Sequence, residues 1–307
     1  MRVLVIGGIV IDIEGSPNHK LLYHDSNLGK IKIKSGGVGR NIAENMCKLG
    51  VDTSMLSYIG NDEMGHAAVD GLIAMGVDTS HIFVAPDRRT AMYLSILNHE
   101  NDMELALNDM EVIKEITIDL LKEHMEYIRS FDIILLDANL EEEVLVYLCE
   151  NLKDKKIVCD TVSAAKAVRV KSILKYLYAI KPNALEAEIL TGLEIEGEEG
   201  VMLAGKKLLE LGVKKAFITL NKDGVYYIDE NDSGFLRPRE NLKILSATGA
   251  GDSFTASIIM GLTEERPIKE IAKLGMAAAE ITMESADSVS GFMNRESVLE
   301  RGKLNDR

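Results

Sequence analysis

The sequence predicts an α/β fold in three layers: a mostly parallel central sheet with helices on both faces, plus a small β-sheet from the first third of the chain. Two patterns carry this. From residue 118 onward, short apolar runs alternate with apolar-periodic segments of helix length, as in parallel strands joined by crossover helices. Before residue 111, several segments alternate apolar with polar residues, as half-exposed strands do. A third observation concerns ligands. Acids and amides gather at predicted strand ends, at Asp137, Asn139, Asp160, Asn183 and Glu186, the edge where open α/β sheets bind ligands. For any one of them, capping is the simpler role.

In chain order, residues 3–11 form a continuous apolar run broken by Gly7 and Gly8 and predict one buried strand ending at Asp12. No Gly-x-Gly-x-x-Gly turn follows, so the dinucleotide fingerprint is absent. Residues 30–34 alternate Lys and Ile, an exposed strand apolar on one face. Residues 37–49 have helical spacing and stop at Gly50. A strand at 53–59, a helix at 64–75 closed by Gly76 and a short strand at 82–85 follow. Residues 91–97 and 103–107 predict a hairpin. Helices at 118–128, 142–152 and 201–211, and one from Asn183, alternate with strands at 132–137, 156–160, 178–181 and 215–220. Residues 268–284 predict a late helix.

The 307 residues suffice for one large α/β domain, and no linker or repeat divides the chain. Net charge is −14, which argues against a nucleic-acid partner, since phosphate neutralisation needs clustered Lys and Arg. The cysteines, Cys47, Cys149 and Cys159, are scattered and odd in number. They predict reduced thiols and a cytoplasmic setting. No stretch has the length of a membrane span, and Asp12 interrupts the first apolar run too early for a secretory leader.

The stretch Thr248-Gly249-Ala250-Gly251-Asp252 precedes an apolar-periodic segment. Small residues at a helix start expose backbone N–H groups to an anion. An aspartate beside such a site makes chemical sense as the base that deprotonates an attacking hydroxyl. The simpler role is a first-turn partner for the helix dipole.

These residues resemble the C-terminal signature of the ribokinase-like (PfkB) family of sugar and nucleoside kinases. The resemblance implies a β lid over the substrate, formed by segments near 13–34 and 91–110, which also serves as a homodimer surface. It makes Asp252 the catalytic base and Gly249, Ala250 and Gly251 the anion hole. Gly36-Gly37-x-x-x-Asn41 resembles the family's substrate motif, which assigns Asp12, Gly36, Gly37 and Asn41 to the sugar, with Asn108 where the lid rejoins the main domain. Arg40 is expected as a solvated helix residue. Asn183-x-x-Glu186 resembles the family's magnesium motif, acting largely through water. Thr219, Asn221, Gly224 and Thr248 are assigned to ATP. Small residues at 275–279 would let adenine lie close to Ala278, or let that helix pack closely on a neighbour. Ala247 stands where the signature has an aspartate that helps bind an activating monovalent cation, which leaves potassium open.

Several stretches are similar to bacterial pseudouridine kinases: residues 25–31, Gly-Gly-Val-Gly-Arg-Asn at 36–41, Tyr93-Leu94-Ser95, residues 107–110 and residues 162–166. Thr161 stands where that group often has proline. The expectation is ATP-dependent phosphorylation of the 5′-hydroxyl of pseudouridine, with Ser26, Asn27 and Lys166 toward the base. The alternatives are a kinase of another nucleoside, of ribose or of fructose, and a catalytically silent ligand-binding relative.

Overall fold

The structure, a computed structural model, describes residues 1–240 and 242–304. Its strands are β1 (Val3–Ile6), β2 (Val10–Pro17), β3 (Gly29–Gly36), β4 (Thr53–Gly60), β5 (Asp78–Ala85), β6 (Ala91–Leu97), β7 (Met103–Asp109), β8 (Ile133–Asp137), β9 (Lys156–Asp160), β10 (Ala179–Ile180), β11 (Lys215–Thr219), β12 (Val225–Asp229) and β13 (Ser233–Leu236). Its helices are α1 (Val38–Lys48), α2 (Glu63–Met75), α3 (Ile118–Glu123), α4 (Met125–Arg129), α5 (Glu142–Asn151), α6 (Ala164–Val170), α7 (Ala184–Thr191), α8 (Gly197–Glu210), α9 (Ala250–Thr263), α10 (Ile268–Met283) and α11 (Arg295–Leu304).

Among the described residues, nine strands form one sheet in the order β13-β12-β11-β10-β9-β8-β1-β4-β5. It is parallel except at β11-β12 and β12-β13. The two-residue period of a strand sends neighbours to opposite faces. Leu4 and Ile6 join one core with Leu136, Ile180 and Ile218, roofed by residues of α5, α7 and α8. Val3 and Val5 join the other with Leu135, Ala179 and Phe217, roofed by α1, α2, α9 and α10. Apolar residues on both faces of each strand therefore produce the three expected layers.

The smaller sheet has the order β3-β2-β6-β7. It occupies the two segments expected for the lid.

Several boundaries differ from expectation. Residues 3–11 are not one strand. At Gly7 and Gly8 the chain leaves the central sheet, and Val10 opens the lid sheet. The reason is Asp137, whose carboxylate accepts the Gly8 N–H at 2.9 Å. A side chain on Gly7 would meet that carboxylate at 2.4 Å. The helix expected at 118–128 is two short helices interrupted at His124, whose backbone leaves helical geometry. Helix α6, the antiparallel pair β12 and β13, and α11 add to the elements read from the sequence.

Candidate active site

Two helices begin at the lid side of the sheet without a capping side chain. Helix α1 starts from Gly37, at φ 95°, and α9 starts from Gly249, at φ 81°. A Cβ on Gly37 would stand 2.7 Å from the Gly8 carbonyl oxygen, and one on Gly249 would stand 1.9 Å from that of Ser288. Only glycine fits either position, and glycine supplies no capping oxygen. Gly251 and Thr248 are exposed at the start of α9. First-turn N–H groups without a side-chain acceptor, at the positive end of a 14-residue helix, form an anion site.

Asp252 lies in that first turn. Its Oδ2 accepts a hydrogen bond from Asn41 Nδ2 at 2.9 Å, which joins α9 to α1. Burial first, then the Asp160 carboxylate, push its pKa up to about 7, while the Asn41 amide and the Lys181 ammonium pull it down. The carboxyl group is enclosed by protein, and the residue keeps an exposed edge. Asp160 is fixed by the Thr255 hydroxyl at 2.7 Å and by Val162 N–H at 2.9 Å. Lys181 Nζ lies 3.5 Å from Asp160 Oδ2. Burial works against the lysine charge, but Asp160, Glu186 and Asp252 raise its pKa. Lys181 also lies beneath the anion site, since a Cβ on Gly251 would come 3.2 Å from Nζ. Sequence reasoning passed over Lys181; its position next to Pro182 and Asn183 at a strand end was the available signal.

The lid presents two unlike faces. Lys34, Asp12, Tyr93 and Asn108 stand opposite one another across its four strands, and Lys32, Glu14, Ser95 and Ala106 form the next row but one. The alternate positions carry Ile33, Ile13, Leu94 and Leu107, then Ile31, Gly15, Ile96 and Leu105. The polar face lines a cleft with Thr248, Ser246 and Ser288 from the main domain. Lys34 bridges that cleft to Asp287 and to the Ala286 carbonyl. Burial raises the Asp12 pKa to about 6 against the pull of the Arg40 guanidinium. A Cβ on Gly36 would stand 2.0 Å from the Asp12 carboxylate. Asp12 lines this cleft, Gly36 packs on its carboxylate, Gly37 starts the helix that carries Asn41 to Asp252, and Asn108 shares the Asp12 face two strands away, at the edge of the small sheet.

Arg40 corrects its expectation. Its side chain is 12% exposed and pairs with Glu44 at 2.6 Å. It donates to the Ser35 carbonyl at 3.2 Å and to Asn41 Oδ1 at 3.1 Å. A helix-surface position was the reasonable sequence reading. The Glu four residues later was the signal for pairing.

At the opposite end, Asn183 caps α7 by accepting the Glu186 N–H at 2.9 Å, and Glu186 Oε2 accepts the Asn183 N–H at 2.9 Å. The cap bears out the simpler role read for both residues, and Asn-x-x-Glu is the signal for its reciprocal form. Thr161 also donates to Glu186 Oε2, at 2.6 Å. Oε1 is left for a further partner. Thr219 is bridged to Asn183. The turn after it carries Asn221 at φ 53° and Gly224 at φ 94°, positive angles that asparagine tolerates and glycine favours. A Cβ on Gly224 would meet the Leu236 carbonyl oxygen at 2.0 Å.

Three expected residues stand apart. Asn27 spends its amide within its own loop, accepting from Leu22 N–H and donating to the Leu22 and Asp25 carbonyls. With Ser26 it lies beyond Pro17, five strand residues from Asp12, roughly 17 Å at 3.3 Å per residue. Ala278 is fully buried in the core shared by α9 and α10, because the helix turns that position inward. Ala279 has the more open position on the same helix. Lys166 remains near the cleft, bonded to Asn139 Oδ1 and close to the buried Asp137.

Comparison with known proteins identifies the family. The pattern of the pfkB family carbohydrate kinases matches residues 1–293. Pseudouridine kinase of Escherichia coli (strain K12) is 34% identical over 282 residues, spanning 92% of this chain and 90% of that protein. Guanosine-inosine kinase of Exiguobacterium acetylicum is 27% identical over 293 residues, spanning 94% of this chain and 96% of that protein. The structure of Arabidopsis thaliana ribokinase complexed with ribose and ATP shares the fold, with a TM-score of 0.87 at 21% identity over 98% of both chains. An uncapped helix start carrying Gly-Ala-Gly-Asp, a lid of the expected sheet and a match along nearly the whole chain together make this protein a member of the pfkB family of carbohydrate kinases.

Proposed function

We propose that the protein transfers the γ-phosphoryl group of ATP to the 5′-hydroxyl of pseudouridine. The carrying observation is the Asn41–Asp252 hydrogen bond, which sets a carboxylate of raised pKa between an anion site and the polar face of the lid. Asp252 takes the proton of the hydroxyl as its oxygen bonds to the γ-phosphorus. The bond from phosphorus to the bridging oxygen breaks and ADP leaves. The N–H groups around Gly249, Ala250 and Gly251 receive the negative charge of the moving group. Asp12 and Asn108 accept and donate hydrogen bonds to sugar hydroxyls. Lys166 is the nearest candidate toward the base.

Asn183 and Glu186 suit magnesium. Glu186 Oε1 is an oxygen left for the ion or its water, the Asn183 side-chain amide N–H can donate to water or phosphate, and among the described residues no group of three or more His, Cys, Asp or Glu converges on a metal position. An ion held through water and nucleotide phosphates fits that sparse set. Bound there, it would neutralise phosphate charge. Ala247 has no side-chain oxygen, so potassium would have only backbone ligands at that position.

The pseudouridine assignment is supported by similarity to a pseudouridine kinase. Similarity to a guanosine-inosine kinase favours another nucleoside as the second reading. The outer face of the lid leaves Ile31, Ile33, Leu105 and Leu107 more than half exposed. A contiguous apolar face of this kind suits a second copy of the chain. Three free cysteines fit a reducing, cytoplasmic setting.

The test is ADP release with magnesium and ATP against pseudouridine, uridine, inosine, guanosine, ribose and fructose. Preference for pseudouridine supports the proposal. Preference for inosine or guanosine supports the second reading, and preference for a free sugar defeats both. Release with none of them points to another alcohol or a silent binder.

A further inference from the structure

We propose that Arg40 is a positioning residue that orients the Asn41 amide and thereby sets the ionisation of Asp252. The inference rests on Asp252 acting as the base in phosphoryl transfer. An amide has one donating and one accepting end, and guanidinium can only donate. Arg40 Nη1 lies 3.1 Å from the Asn41 side chain, so Asn41 must turn Oδ1 toward it. Nδ2 is thereby sent to Asp252, 2.9 Å away. A donor aimed at a carboxylate favours its ionised form. Were the amide reversed, Oδ1 would face Asp252 and favour the protonated acid, which cannot accept the substrate proton.

The surroundings make Arg40 a fixed reference. Glu44 holds one nitrogen at 2.6 Å, and the Ser35 carbonyl holds the other with Asn41. Lys48 pairs with the same Glu44 at 3.4 Å. From the lid, Asp12 faces the guanidinium. Around Asp252 stand Asp160 from β9, Asp137 from β8 and Lys181 after β10. Burial and the two aspartates oppose its ionisation, and the Asn41 amide and Lys181 favour it, so the amide is one of two groups that hold the ionised form. Among the described residues, the buried Arg40 Nε has no hydrogen-bond partner.

The planar fork, not the charge alone, holds three acceptors at once, so lysine cannot replace it fully. The test is the pH profile of kcat in Arg40→Lys and Arg40→Met. Both should lift the acid limb by about one pH unit, which is ~10-fold less ionised base on the acid side. Arg40→Lys should spare the acceptor KM, because a cation still faces Asp12, whereas Arg40→Met should raise it. In an Asn41→Ala background, Arg40→Met should add no further shift. A folded Arg40→Lys variant with an unmoved limb, or an additive shift in the double variant, overturns the proposal. If neither Arg40 variant folds, Glu44→Gln decides: a raised limb supports the relay and an unmoved limb refutes it. Isotope-edited infrared titration of Asp252 in Asn41→Ala and Arg40→Lys needs no turnover. It reads the relay even if every acceptor fails, in which case only the kinase reading is struck.

Discussion

Asn41 and Asp252 are 211 residues apart in sequence and 2.9 Å apart in space. One hydrogen bond thus ties the first turn of α1 to the first turn of α9. It is a hydrogen bond to a group whose pKa is about 7, so small changes around it alter the protonation state near neutral pH.

Asp252→Asn should lower kcat by about 10²–10⁴, the range of a general base. It should leave nucleotide binding nearly intact. The same change should stabilise the fold. The folded pKa is raised above the unfolded 3.8, so the native state holds its proton more tightly and stability falls as pH rises through about 7. Removing the charge should add about 1–3 kcal/mol at pH 8 and nothing at pH 3. Urea unfolding at both values checks this; equal stability at pH 8 would contradict the buried-charge account.

The unmodified enzyme should lose turnover below pH 7 as Asp252 takes up its proton. Below about pH 6 the acceptor KM should rise as well, because protonated Asp12 is a poorer partner for sugar hydroxyls. Initial rates from pH 5 to 9 separate the two limbs. A flat profile would exclude both assignments.

Gly249→Ala and Gly251→Ala should fail differently. The first forces a Cβ to 1.9 Å from the Ser288 oxygen at φ 81°, so it should destabilise by about 1–3 kcal/mol and lose activity. The second adds a methyl group at an exposed helical position, 3.2 Å from Lys181 Nζ. Alanine favours helix by about 1 kcal/mol over glycine, so the melting temperature should hold or rise while ATP turnover falls. Thermal melts paired with ADP release distinguish them.

The apolar face of the lid should hold two copies together. Ile33→Glu and Leu107→Glu place charge at exposed positions on the two edge strands of that face. Light scattering should show a dimer for the unmodified chain and a monomer for the double variant. A monomer from the outset would remove the need for a partner at this surface.

The βα alternation and the Gly-Ala-Gly-Asp helix start were legible because period and small-residue clusters are local properties. Asp12 and Asn41 were picked out by motif position, and the structure sets Asp12 on the inner face of the small sheet and Asn41 against Asp252. The burial of Arg40 was not legible, although its pairing with Glu44 was, for a physical reason. Whether a helical arginine is solvated depends on what packs over it, here Glu44 and the approach of β3 at Ser35. Ala278 shows the same limit: small residues recur along α10, and only packing on α9 decides which side each faces. Gly7 and Gly8 looked like interruptions within a strand. They are the place where the chain passes from one sheet to the other, a fact set by Asp137, well over a hundred residues away. The strand β12 could have been found, since Val225-Tyr226-Tyr227-Ile228 is β-branched and aromatic throughout.

The alternation of the lid has a consequence for how its length can change. Lys34, Asp12, Tyr93 and Asn108 share a face only while their strands keep parity. Deleting one residue upstream of Asp12 within β2 would turn the carboxylate outward and bring an isoleucine over the hydroxyls. Changes in the connections at 18–28 and 98–102 carry no such penalty, because loop residues set no face. Related chains should therefore vary freely in length at those two connections, and within the lid strands only by even numbers or at a bulge.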